Sequence, residues 1–381
     1  VSVRLYGRDV GNGSLAVVTR GFREVLEGAG LLEGFVALDR SGGSEEQDAS
    51  PGALARDGVF TGNLNLVRTM LIGARHERHW VTVTPNSTHI PRDQLAAVLS
   101  LPNPRILSAS AWGTRVIVDT LREMGFAIVD ASADTRVRLQ APRSQGDVVT
   151  VYVHTVRHGV SGFAPVTEEI ERTRADYEKG EFRVVHFSTT EGQRKGTLEL
   201  VRAWQLMREL RWLPEKAELL LVLDEHAARA LRARMSDTGL SLPDGARLLP
   251  RGSLNPAQMS CLLCHMHLVA APSRGEGFGM IPLSASACGV QTVATLTTGH
   301  GAGHCVPPGV FGIPQDDELL PIDDGPGAVA AAVDPQCIAR AIQSAHHSWR
   351  QISQLAQDAA ANVADAWSWQ RQLASLVELL R

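Results

Sequence analysis

Residues 268–289 constrain the chain more than any other stretch. An apolar run, Leu268 to Ala271, has the length and composition of a short buried strand. Pro272 and Ser273 break it. Gly275, Gly277 and Gly279 then form a flexible turn around a single carboxylate, Glu276. Pro282 suits the first turn of a helix, and the small residues 283–288 continue it to Gly289. A strand that delivers a glycine loop into a helix start offers unpaired N–H groups to an anion such as a diphosphate. Glu276 stands where it can touch whatever the anion carries.

The rest of the chain repeats this alternation. Val1 to Tyr6 reads as a strand, residues 7–14 as a glycine loop, and Leu15 to Glu27 as an amphipathic helix. The loop lacks the GxGxxG dinucleotide fingerprint. Further strands are expected at 35–38, 80–84, 105–108 and 148–153, with Ser110 capping a helix over 114–124. Residues 41–53 are polar, acidic and glycine-rich, and read as a surface loop. The polar helix 167–180 reads as a connection between two halves. A second series of strands follows at 183–187, 218–223, 247–249, 268–271 and 291–294, with intervening helices. Helices are expected over 334–350 and, unbroken, over 351–381. At 381 residues two domains are the natural division. The expected fold is α/β: two Rossmann-like doubly wound domains, 1–165 and 181–362, facing across a cleft. The final helix, about 365–381, is expected to pack back on the first.

Bulk charge narrows the partners. With 37 Lys and Arg against 41 Asp and Glu the net charge is −4, which favours neither nucleic acid nor an anionic membrane; only a local basic groove would revive nucleic acid. No apolar run is long enough to span a bilayer. Five cysteines, an odd number, fit reduced thiols in a cytoplasm better than a disulfide framework.

The 272–290 stretch resembles the PSxxEGFG…P…EAMACGxPV pattern of retaining glycosyltransferases with two Rossmann domains (GT-B type), particularly family 4. The matching residues are Pro272, Ser273, Glu276, Gly277, Phe278, Gly279, Pro282, Ala287, Cys288, Gly289 and Val290. Weaker similarities fall in family order: Gly11-Asn12-Gly13, residues 85–91, 108–112 with Arg115, His158 to Pro165, the "S…RKG" segment 187–196, and Trp367-Ser368-Trp369. The resemblance implies a nucleotide-sugar donor as co-substrate, transfer to an acceptor hydroxyl of unknown identity, and no cofactor or metal. It implies that Lys195 contacts the diphosphate, with Arg194 and Thr189 beside it. Glu276 would contact the donor sugar; Gly277, Phe278, Gly279, Met280 and Ile281 would line the donor. His89 and Asn86 would meet the acceptor, Gly11, Asn12 and Gly13 would approach phosphate or acceptor, and His158 would occupy a family position near the hinge. Two departures stand out. The second glutamate of the family's E-x7-E is Ser284 here, so ribose is gripped differently, and a branch glutamate is Asn86.

Other constellations carry less. Cys261, Cys264, His265 and His267 have a C-x2-C spacing, but lie on an apolar helix entering a strand, without a second pair. His300, His304 and Cys305, and the acidic pair Asp323 and Asp324, read as loop residues. A non-catalytic nucleotide- or sugar-binding partner subunit is the alternative function, motivated by Ser284 and Asn86. An epimerase on the same fold would release sugar without an acceptor.

Overall fold

The structure is a computed structural model. It describes residues 2–7, 14–38, 44–47, 56–61, 76–85, 90–132, 136–142, 147–188, 193–250, 254–296, 298–299, 309–315, 318–321 and 329–381. The chain divides into two compact units: Val1–Gly159 with Trp367–Arg381, and Val160–Ala366.

The first unit is built on a nine-stranded sheet. Its strands are β1 (Val3–Gly7), β2 (Leu32–Leu38), β3 (Ser44–Gln47), β4 (Asp57–Thr61), β5 (Arg78–Thr82), β6 (Pro104–Ser108), β7 (Ala127–Ser132), β8 (Arg136–Pro142) and β9 (Val148–Thr155), in the order β3-β2-β1-β4-β5-β6-β9-β8-β7. The segment β2-β1-β4-β5-β6-β9 is parallel, while β3 and the β7–β8 hairpin extend it antiparallel. The expected 41–53 loop is therefore corrected at Ser44–Gln47: a short acidic strand forms the edge, a composition that discourages further pairing. Ser110 caps the helix Ala111–Glu123 by accepting a hydrogen bond from the Gly113 N–H at 3.0 Å. The C-terminal segment is not one helix. It runs Trp349–Ala366, Trp369–Gln372 and Ala374–Leu380, because Ser368 starts a new turn by accepting from the Arg371 N–H. Trp369 is fully buried against Phe22, and Gly21 and Gly159 leave room for its indole.

The second unit carries a six-stranded parallel sheet: β10 (Glu181–Ser188), β11 (Lys216–Leu223), β12 (Ala246–Pro250), β13 (Leu268–Ala271), β14 (Gln291–Thr295) and β15 (Val310–Ile313), in the order β12-β11-β10-β13-β14-β15. A hairpin of β16 (Leu319–Pro321) and β17 (Val329–Ala331) stands apart. The polar helix Thr167–Glu178 is a part of this unit rather than a connection. Its Thr173 is buried and donates to the Cys264 carbonyl at 2.9 Å. Strand order reverses between β10 and β13, and the carboxyl ends of strands at such a switch point are where open α/β sheets bind ligands.

Those two loops are docked by backbone contact. Arg274 N–H donates to the Arg194 carbonyl at 2.8 Å. Gly196, with φ +66°, lies against the Pro272 carbonyl, where any Cβ would overlap the oxygen. Both its left-handed backbone and this approach require glycine. Gly196→Ala should cost roughly 1–3 kcal/mol of stability, read as a lower urea midpoint with unchanged m-value; an unchanged midpoint would show that the loops do not depend on this contact.

Four histidines are buried and held neutral. Burial pushes His158 and His186 down to about 4, and burial with neighbouring arginines pushes His154 to about 4 and His267 to about 3. Unfolded histidine titrates near ~6.5. Between these values the unfolded chain binds more protons. Stability is thus complete above the unfolded value and falls as pH drops toward the folded ones, by about 1.4 kcal/mol per pH unit for each such group. Urea midpoints should be flat above neutral pH and decline through the mildly acidic range. A midpoint that rises on acidification would contradict the burial of these rings as neutral species.

Candidate active site

The crevice at the β10–β13 switch gathers the charged residues that the sequence singles out. After β10 the chain turns at 193–196 and enters the helix Thr197–Glu209. The turn is anchored from below: His186, on β10, donates through Nδ1 to the Ala270 carbonyl of β13 at 2.8 Å, and its Nε2 accepts from the Thr197 hydroxyl at 2.9 Å. This histidine spans the two strands whose loops form the site, and the neighbouring Lys195 charge adds to burial in keeping it neutral.

Lys195 Nζ forms an ion pair and hydrogen bond with Glu276 Oε2. Arg194 Nη1 lies 3.6 Å from the same oxygen and donates to the Gly275 carbonyl at 3.0 Å. The three side chains are only 10–17% exposed, so their charges act in a medium less screening than water. Ser273 Oγ approaches Glu276 Oε2 at 3.5 Å. Two cations thus share one carboxylate, leaving a net positive locus at the mouth of a helix start.

The Glu276 loop is fixed from a third direction. Its N–H donates to Thr298 Oγ1 at 3.1 Å, and Gly299 N–H donates to the Glu276 carbonyl at 2.6 Å. Gly299 lies so close to Gly277 that a Cβ would overlap its carbonyl. Thr295, at the end of β14, donates to the Ser273 carbonyl. Beneath the loop, Arg274 is 5% exposed and spreads its guanidinium over the Leu320, Pro321, Ala330 and Ala331 carbonyls of β16–β17 at 3.2–3.5 Å. Gly279, with φ +98°, turns the chain into the helix Met280–Ala287.

The structure brings together Arg194, Lys195, Glu276, Gly277, Phe278 and Gly279. Phe278 is buried at 3% exposure, and Met280 is partly exposed on the first turn. Ile281 is partly buried and packs against the core cluster containing Val185 and Leu263. Ser284 lies on the second turn of the helix and is buried. His158 belongs to the first unit, with its ring 5.8 Å from that of Trp369. Gly11, Asn12, Gly13, Asn86, His89 and Thr189 lie outside the described residues, as do His300, His304, Cys305, Asp323 and Asp324. His186, Arg274 and Thr298 also shape the site and carry no signal in the sequence. Arg274 falls at a variable position of the motif, and His186 sits in a strand whose other residues read simply as core.

The C-x2-C segment is occupied by structural bonds. Cys264 Sγ accepts from the Val166 N–H, His265 pairs with Glu169 at 3.2 Å, and His267 accepts from the Arg183 N–H and donates to the Thr173 carbonyl. No helix among the described residues is long and apolar enough to cross a membrane.

Residues 181–344 match the family model "Glycosyl transferases group 1". A sequence search among curated proteins returns no match. Similar solved structures include HepE from Anabaena in complex with UDP and glucose (15% identity, TM-score 0.62, covering 100% of this chain and 99% of that one). Sucrose-phosphate synthase from Thermosynechococcus elongatus is similar at 14% identity and TM-score 0.64, over 99% and 98% of the two chains. The UDP-forming α,α-trehalose-phosphate synthase from Burkholderia xenovorans is similar at 14% and 0.58, over 86% and 74%. The chain therefore has the two-sheet α/β fold of these GT-B glycosyltransferase structures, and its residues 181–344 match the model of the glycosyl transferases group 1.

Proposed function

We propose that this chain transfers a sugar from a nucleoside-diphosphate donor to an acceptor hydroxyl, with retention at the anomeric carbon and without a metal ion. The observation that carries this reading is the convergence of Lys195, Arg194 and Glu276 at the β10–β13 switch point. As the glycosidic bond breaks, negative charge develops on the diphosphate and positive charge on the anomeric carbon. Lys195 and Arg194 stabilise the first, as fixed cations that need no reorganisation. Backbone N–H groups of the Gly277–Gly279 turn and the helix start add to them. Glu276 accepts hydrogen bonds from sugar hydroxyls, exchanging its lysine contact for the donor. Acceptor recognition falls to the first unit, through Gly11, Asn12, Gly13, Asn86 and His89, with His89 orienting the acceptor hydroxyl and His158 a packed hinge residue. HepE has been solved with UDP and with UDP-glucose, which makes uridine nucleotides the first donors to try. A cytoplasmic location accords with the thiol content.

One observation favours a second reading. The family's second carboxylate is replaced by buried Ser284, which offers the ribose a neutral hydroxyl in place of a charged acceptor. A chain that binds a nucleotide sugar without turning it over, as a partner subunit, would fit that loss.

With a competent donor and acceptor, α-configured donor should yield α-linked product by NMR, and EDTA should leave the rate unchanged. Lys195→Ala should lower kcat/KM by roughly 10²–10³-fold. Inversion at the anomeric carbon or loss of activity in EDTA would overturn the mechanism. Saturable binding with no turnover across donors would establish the binding reading instead.

A further inference from the structure

The outer half of the first unit's sheet collects positive charge that its own carboxylates do not balance. Strand register sets Trp80, Arg105, Tyr152, Arg138 and Asp130 in one row across β5, β6, β9, β8 and β7. The next row places His154 opposite Arg136. Residues two apart share a face, so both rows line the same surface.

Arg105 lies between two rings, its guanidinium carbon 4.9 Å from the Trp80 ring and 4.6 Å from Tyr152. His154 is 3% exposed, with its ring 5.5 Å from Trp80. The nearby buried carboxylate, Asp57, is already committed: Arg78 takes both of its oxygens at 2.5 and 2.6 Å, and Trp80 Nε1 donates to it at 2.8 Å. Asp130 reaches Arg136 only at 3.8 Å, with both side chains about half exposed. Arg105 Nε, Arg138 Nε and His154 Nε2 are buried without a hydrogen-bond partner. Unpaired buried donors of this kind cost about 1–3 kcal/mol each, more when charged, unless something satisfies them. The positive potential is visible on the groups themselves. Arg105 is shifted down by burial and by Arg78 and Arg136, and His154 by burial and by Arg105 and Arg136.

We propose that this face of the first unit is a binding site for a phosphate group, received by Arg105, Arg136, Arg138 and the Nε2–H of His154. A phosphate carries up to two charges on several tetrahedrally disposed oxygens and accepts from guanidinium forks bidentately, so it balances three guanidinium charges more fully than the single charge of a planar carboxylate does. The aromatic rings hold Arg105 in place, so little side-chain entropy is lost on binding. This site is independent of the nucleotide-sugar crevice and does not rest on the transferase reading.

The test uses the full chain, with inorganic phosphate and phenyl phosphate as probes against chloride at constant ionic strength. Because the second unit also attracts anions, the comparison is made in a K195A background as well as in the parent. Phosphate should raise the melting temperature in both, and should shift the His154 ring signals in NMR spectra. The double variant R136Q/R138Q changes two partly exposed side chains and leaves Arg105 packed. It should bind phosphate at least about tenfold more weakly. Tighter binding of phenyl phosphate than of inorganic phosphate assigns the ligand as a phosphate ester; equal or weaker binding assigns the free ion. Phosphate acting no differently from chloride, or an effect lost in K195A but kept in R136Q/R138Q, would overturn the proposal.

Discussion

The approach of Gly196 to the Pro272 carbonyl governs the geometry of the second unit's site. It brings the loop after β10 against the loop after β13 with no side chain between them. The polar contacts between the two loops follow from that spacing. Arg274 N–H can reach the Arg194 carbonyl, Arg194 can reach Gly275, and Lys195 can reach Glu276. A larger residue at 196 would separate the loops and leave two cations and a carboxylate to water, where their attraction is weak.

Beneath this contact the two strands are tied by His186, and above it the Glu276 loop is tied by Thr298 and Gly299. Arg274 links the same loop to the β16–β17 hairpin. The charged trio therefore sits on loops fixed by backbone contacts and by the buried side chains of His186, Arg274 and Thr298. That is the preorganisation an electrostatic mechanism requires, because charges fixed beforehand need not reorganise as the donor bond breaks.

Much of this was legible in the sequence. The glycine-rich turn, its carboxylate and the strand–loop–helix order follow from residue type and spacing, since glycine and proline act locally. The Lys195 partner came from resemblance, because 81 positions separate it from Glu276 and no periodicity connects them. The β7–β8 hairpin leaves little trace in the sequence, since its residues are largely exposed and its alternation weak. The breaks in the C-terminal helices leave little trace either: no proline or glycine marks them, and a serine cap after Trp367 is a weak signal. The arginine face of the first unit lay hidden because Arg105, Arg136 and Arg138 meet only through strand register.

The central claim is that the β10–β13 crevice receives a nucleoside diphosphate through Lys195. A thermal-shift screen of UDP-, GDP-, ADP- and TDP-sugars against the parent and Lys195→Ala tests it most directly. The account predicts a shift with at least one nucleotide series in the parent and its abolition in the variant. A shift of equal size in Lys195→Ala would contradict the assignment of the diphosphate to this crevice.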